Sequence, residues 1–323
     1  MTEDYLWDRS GPPDPEIQGL ERTLAALSHR ASGRPRKVVT QPARSRVWWT
    51  VAAAAVVGAV ALSRLTPPAP ATAWRVDSFA GQARLGGQVA AVSMSLHAGQ
   101  LVSTDGGSEV TLRADGFGTI SIGPDSRLHA ASNRRVTLER GVLHAFIWAP
   151  PREFVVDTPS ARAVDLGCQY TLQVDPSGDG LLKVSLGWVA FQLGEHESFI
   201  PAGAECVTRK RGGPGIPYYE DAPESLRQSL ALMERGDDAA LPGVLAAARP
   251  ADALTLWHLL TRAAERDRGA VFDRFAQLVT LPPEVARAAV LQRDAHALDL
   301  CWDALKLENT EWWRGWERRW DSR

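Results

Sequence analysis

Apolar and polar positions alternate most clearly between Phe154 and Val174. Cys168, Tyr170, Leu172 and Val174 fall on one side, and Gln169, Thr171 and Gln173 on the other. A period of two is that of a half-buried strand. A Thr-Pro turn and a Leu-Gly corner interrupt the run. Related patterns recur from Trp74 to about Lys210. "GQLVSTDGGSEVTLRADGFGTISIGPDSRLHAAS" predicts two or three strands. "RRVTLERGVLHAFI" predicts two more, turning at Arg140-Gly141, and "LLKVSLGWVAFQL" alternates on both sides of Gly187. Short strands at such close spacing predict an all-β module over residues 74–210, either solenoid-like or a sandwich, with a barrel also open. It is expected to fold by itself.

The period then changes. "GGPGIPYYEDAP" reads as a linker, placed at 211–220, and residues 221–323 read as an all-α domain. "PESLRQSLALMER", "PADALTLWHLLTRAAE", "GAVFDRFAQLV", "PPEVARAAVLQ" and "HALDLCWDALKL" are consecutive helical patterns, with Pro223, Pro250 and Pro283 suited to helix starts. At the end, Trp313, Trp316 and Trp320 share a helical face beside Arg314, Arg318 and Arg319. Such a stripe caps a core or forms a membrane-surface or protein-binding patch.

A third pattern has no polar face. "VWWTVAAAAVVGAVAL", Val47 to Leu62, carries no charge. It spans about 24 Å as a helix. Extension through Ser63, Arg64 and Leu65, with Arg64 snorkelling to the headgroups, brings it nearer the ~30 Å hydrocarbon core. Residues 47–65 therefore predict a single transmembrane helix, the alternative being a buried Ala-rich core helix. Trp48 and Trp49 lie at its edge, where indoles favour the interface. Arg30, Arg34, Arg36, Lys37, Arg44 and Arg46 precede it, and only Arg64 stands on the far side before the Pro-rich stretch 66–73. The positive-inside rule places residues 1–46 in the cytoplasm and the later modules in the periplasm, with the helix in the inner membrane. Ala71-Thr72-Ala73 keeps signal-peptide cleavage as the alternative, although its n-region would be unusually long.

Within residues 1–46, Asp14 suits an N-cap, with Pro15 and Glu16 following. Ile17, Leu20, Leu24 and Leu27 then form an apolar stripe at helical spacing, and Trp7 belongs to a second apolar patch. So short a head does not bury the stripe alone. It reads as a docking helix, or else as a membrane-lying or partly disordered tail.

Composition narrows the chemistry. The formal net charge is −2 over 323 residues, which argues against direct nucleic-acid binding. Cys168, Cys206 and Cys301 are widely spaced, without a CxxC or Cys/His cluster, so neither a zinc site nor a disulfide framework is expected. A Cys168–Cys206 disulfide stays open. No P-loop, GxGxxG, HExxH or GxSxG motif occurs. "GFGTISIG" reads as a turn between strands, "GEHES" as a polar hairpin, and His144 as an ordinary strand residue. No enzyme activity, cofactor or metal is expected.

The β pattern resembles the FecR family, membrane-anchored regulators of extracytoplasmic-function sigma factors. Gly99, Val102, Thr104, Ser108, Val110, Leu112 and Asp115-Gly116 match its early segment, and Arg135, Leu138 and Gly141 follow. The most characteristic stretch holds Phe154, Val156, Thr158, Leu166-Gly167, Tyr170 and Val174. Val184, Gly187, Val189 and Ala202-Gly203 close it. The chain departs from the family at Gly167-Cys168, where Gly-Thr is usual, and at Leu186-Gly187, where Glu-Gly is frequent. The small terminal α/β module of its better-known members is not recognisable.

The resemblance implies a solenoid-like β fold and an anti-sigma or sigma-activating role. It also implies a cytoplasmic sigma-factor partner, bound by Trp7, Ile17, Leu20, Leu24 and Leu27, and an envelope protein or ligand outside. The competing class is a membrane-anchored module that binds or scaffolds envelope proteins or polymers.

Overall fold

The computed structural model describes residues 74–194 and 196–307. The expected head, membrane helix and Pro-rich stretch lie outside the described residues, and with them Trp7, Ile17, Leu20, Leu24 and Leu27. Glu195 and the terminal Trp313, Trp316 and Trp320 lie outside them too. Among the described residues no helix is long and apolar enough to cross a membrane.

The middle of the chain is β-sheet and the part that follows is helical. The first strands are β1 (Trp74–Ala80), β2 (Arg84–Leu85), β3 (Gln88–Val89), β4 (Ser95–Leu96), β5 (Leu101–Ser103), β6 (Glu109–Ala114), β7 (Gly118–Ile122) and β8 (Arg127–Ser132). Three long strands follow with one short one among them: β9 (Arg135–Ile147), β10 (Val155–Asp157), β11 (Arg162–Val174) and β12 (Gly180–Leu193). The last are β13 (His196–Pro201), β14 (Ala204–Arg209), β15 (Gly213–Pro214) and β16 (Tyr218–Tyr219). The main path through the sheet runs β15-β14-β12-β11-β10-β9-β7-β6-β1-β4. Between "GQLV" and "LHAAS" the chain forms four strands, β5 to β8, where the sequence predicts two or three.

Each long strand serves two neighbourhoods. β9 pairs with β8 through its first half and with β7 through its second. β11 pairs with β10 through Arg162–Val164 and with β9 through Cys168–Val174. β12 pairs with β14 through Gly180–Lys183 and with β13 through Trp188–Leu193. A glycine at positive φ sits at every change of partner: Gly141 at +98°, Gly167 at +86° and Gly187 at +71°. L-side chains disfavour that region, so glycine lets the strand bend without breaking. Arg140-Gly141, expected as a turn between strands, is therefore a bend inside one. The inward residues of both halves meet in one core, from Trp74 and Val76 to Ala204 and Cys206.

The helices are α1 (Glu224–Met233), α2 (Leu241–Ala247), α3 (Ala253–Arg262), α4 (Glu265–Leu278), α5 (Arg287–Leu291) and α6 (Ala295–Ala304). Pro223 is the N-cap of α1, and Pro250 opens a 3-10 turn before α3. Pro283 lies in a turn ahead of α5 rather than at its start. The sequence pattern does not single out α2, whose "LPGVLAA" is short and holds Pro and Gly. In the segment expected as a linker, β15 and β16 both pair with β14.

A second core lies between sheet and helices. Val164, Leu166, Trp188, Ala190 and Phe199 from the strands pack with Leu226, Leu230, Leu256, Phe275 and Trp302 from the helices. The C-terminal half of β12 is thus covered on both faces: Trp188 and Ala190 face the helices, while Val189 and Phe191 face the first core. Sheet and helices fall in one compact unit. The expectation of an independently folding β module did not allow for this shared core.

Candidate functional site

The motif residues turn out to be structural fasteners. Phe154 is fully buried, its ring centroid 5.7 Å from that of Trp74 and 6.1 Å from that of Phe117. Thr158 closes the β10–β11 turn: its hydroxyl accepts from Ala161 N at 2.9 Å and donates to Ala161 O at 2.8 Å. Leu166 faces the helices and Cys168 faces the first core, so the chain switches sides at Gly167 between them. Opposite stands Gly187, where a Cβ would lie 2.0 Å from the Gly167 carbonyl oxygen. Tyr170 is buried, and its hydroxyl has no hydrogen-bond partner among the described residues.

Beside this corner, buried Asp165 accepts from Gly167 N at 2.7 Å and from the Cys168 thiol at 2.6 Å. Burial pushes its carboxyl up to about 7 against the opposing pull of those hydrogen bonds. Burial and the neighbouring Asp165 also push the Cys168 thiol well up, so it is no nucleophile. Cys168 pairs with Gly187 and Cys206 with Leu182, five residues earlier on β12 and on its other side. At ~3.3 Å per residue that exceeds the reach of a disulfide. Both cysteines, and Cys301, are buried free thiols.

Helix α3 supplies the polar contacts between the layers. Thr255, His258 and Arg262 lie at helical spacing on one face. The Thr255 hydroxyl donates to Pro217 O at 2.8 Å. His258 Nε2 accepts from Phe199 N at 3.0 Å. Arg262 Nη1 donates to Pro214 O and Gly215 O at 2.8 and 2.9 Å, and its Nη2 to Glu197 O and Ser198 Oγ at 2.7 and 2.6 Å. Three side chains thereby satisfy backbone groups of β13, of β15 and of the loop beyond, as a further strand would elsewhere.

Next to this seam lies a cavity of about 240 Å³. Val207, Ile216, Leu230, Met233, Leu241 and Leu259 give it apolar walls, and Glu234, Arg262, Arg209, His196, Asp238 and Asp267 bring polar groups. Glu234, the C-cap of α1, accepts from Ile216 N at 2.9 Å. Gly215 permits this approach, since a Cβ there would lie 2.0 Å from the Glu234 carboxylate. Among the described residues no group of three or more His, Cys, Asp and Glu is placed to hold a metal. Glu234, His258 and Arg262 are not among the residues expected at a site from the sequence pattern. A polar stripe at 255, 258 and 262 inside an apolar helix was the available signal.

The outward face of the sheet is polar along one row and partly apolar along the next. Thr111 and Ser121 share a hydrogen bond at 2.7 Å, His144 and Thr171 one at 2.9 Å, and Lys183 pairs with Glu205 at 2.8 Å. In the next row Thr119, Phe146, Gln169 and Leu186 stand side by side. Phe146, Leu186 and the adjoining Trp148 are exposed, with the Phe146 and Trp148 rings 5.3 Å apart.

Residues 100–189 match the model of the FecR protein family, the family the motif residues resemble. This interval holds β5 to most of β12, with all three corner glycines. No curated protein matches the chain. Two crystal structures of a candidate anti-sigma factor from Parabacteroides distasonis, at 1.65 and 2.50 Å resolution, are similar at 15% identity, with TM-scores of 0.34 and 0.33. Each similarity covers 41% of this chain and 64% or 63% of the solved one, so the chain spans less than two thirds of either.

Proposed function

We propose that this chain is a membrane-anchored FecR-like regulator, an anti-sigma or sigma-activating factor and not an enzyme. It relays an envelope signal to a cytoplasmic extracytoplasmic-function sigma factor. The observation that carries the reading is the FecR match over residues 100–189. Residues 47–65 cross the inner membrane once, with residues 1–46 inside and the sheet and helices in the periplasm. The cations that precede the apolar run support this orientation. Ile17, Leu20, Leu24 and Leu27 bind the sigma factor, with Trp7 as an added anchor.

The direct test is pull-down of extracytoplasmic-function sigma factors by residues 1–46. Burying one Leu side chain contributes roughly 1.5–3 kcal/mol. Leu20→Asp combined with Leu24→Asp weakens capture by more than about tenfold. Equal capture by the double variant would remove this interface. Reporter fusions at residues 40 and 215 test the orientation, which cytoplasmic-reporter activity at 215 would overturn.

A second reading, an anchored module that binds envelope proteins or polymers, is favoured by the exposed Phe146–Trp148 pair. A head that can be deleted without changing sigma-dependent transcription would select it.

A further inference from the structure

The geometry points to the cavity between α1, α3, α4 and the β14–β15 edge as a binding site for a small primary amine with a compact hydrocarbon body. Glu234 holds the ammonium group, and Leu230, Met233, Leu241 and Leu259 surround the hydrocarbon. The inference goes beyond the regulator reading and stands without it.

The sign of the ligand's charge follows from which lining groups are already paired. Arg209 pairs with Asp179 through Nη1 at 3.4 Å, while its buried Nε–H has no acceptor among the described residues. Asp238 and Asp267 share Arg266, at 2.8 and 3.3 Å. Both Nη groups of Arg262 are occupied by four oxygen acceptors. An incoming anion would have to displace the Arg262 bonds and, around the one unpaired Arg209 Nε–H, would meet three carboxyl groups. Glu234 differs from the other lining acids: it receives one backbone N–H, and no cation among the described residues lies within salt-bridge distance. Glu234 is half-buried, and Arg209, Arg262 and Arg235 act on it only from beyond contact, so an ammonium ligand in direct contact would lower the remaining cost of ionising it.

Size and protonation fit the same occupant. A volume of about 240 Å³ lies just below the ~300–1,000 Å³ of drug-sized sites. Burial holds the Glu234 carboxyl above its ordinary range, with Arg209, Arg262 and Arg235 pulling the other way. His196 and Asp267 also line the cavity. Amine binding favours the ionised carboxylate.

The test is thermal unfolding of the full-length protein in a non-ionic detergent. Benzylamine is the probe, with benzyl alcohol and benzoate as neutral and anionic controls. Benzylamine is expected to raise the melting temperature with concentration, and the controls are not. Glu234→Gln keeps an acceptor for Ile216 N–H but loses the charge, and is expected to weaken benzylamine by at least about tenfold. Leu241→Phe fills the cavity from another wall and is expected to weaken it without touching Glu234. An equal response to benzyl alcohol, an undiminished response in both variants, or no response to benzylamine would each overturn the assignment.

Discussion

The Phe199 backbone N–H donates to His258 Nε2 at 3.0 Å across 59 residues of chain, in a fully buried setting. The other ring nitrogen, Nδ1, lies 2.9 Å from Leu254 O. Since Nε2 must accept, Nδ1 carries the hydrogen and donates, which sets the tautomer. Burial, then the Arg262 charge, push the imidazole down to about 3, so the ring stays neutral. One side chain thus stands in for the strand that would otherwise pair with β13 at this point.

His258→Ala leaves the Phe199 N–H buried without its acceptor and opens a cavity. The expected cost is about 3–5 kcal/mol in denaturant unfolding. The proton linkage has a defined sign. The unfolded chain takes up the His258 proton as pH falls below about 6.5, whereas the folded protein waits until about 3. The parent therefore loses stability across that window, and the variant loses less. Parallel acid curves for the two proteins would refute this account of the ring.

Gly187→Ala places a methyl group 2.0 Å from the Gly167 carbonyl oxygen at a backbone φ of +71°. Left-handed strain and overpacking together should cost about 2–4 kcal/mol. Gly194, at +58°, has no neighbouring atom within reach of a Cβ. Gly194→Ala therefore isolates the strain alone and should cost less. Equal losses at the two sites would show that the close approach to Gly167 does not matter.

Asp165 gives the opposite pH dependence to His258. Its folded carboxyl titrates at about 7, above the ordinary value of 3.8. Between those values the folded protein keeps a proton that the unfolded chain has lost. Its contribution to stability is full below about pH 4, falls as pH rises and is flat above about 7. Asp165→Asn removes that slope, so the substitution should be less harmful at pH 8 than at pH 5. Unfolding free energies of both proteins at the two pH values decide it, and an unchanged difference would be the contrary result.

Local chemistry made much of this fold legible. Alternation marked β9, β11 and β12, because each buries one face over most of its length. Gly141, Gly167 and Gly187 stood out as punctuation, although sequence did not distinguish a bend from a turn: both need glycine at positive φ. The shared core was harder to read. Its signal was the unbroken apolar run Trp188-Val189-Ala190-Phe191, a departure from alternation that marks a strand covered on both sides. The cavity was not legible at all, since β14, β15, α1 and α3 meet there only through tertiary packing. Glu234 stands at a helix end, where an acid is unremarkable, and nothing in the sequence marks Gly215 as its neighbour.

The shared core makes a prediction about fragments. A chain ending at residue 210 lacks α3, so it loses the acceptor for Phe199 N–H and the donors to Glu197 O and Ser198 Oγ. It also exposes Val164, Leu166, Trp188, Ala190 and Phe199, which pack with the helices in the intact protein. Each larger side chain among them contributes roughly 1.5–3 kcal/mol through burial. The first core, from Trp74 to Cys206, remains complete in the fragment. Residues 74–210 should therefore collapse around it but bind a hydrophobic dye, aggregate with rising concentration and melt below residues 74–307. The longer fragment should unfold in one cooperative transition by both near- and far-ultraviolet circular dichroism. Two separated transitions in 74–307, with the first 137 residues (74–210) melting as they do alone, would mean that the interface between sheet and helices contributes little.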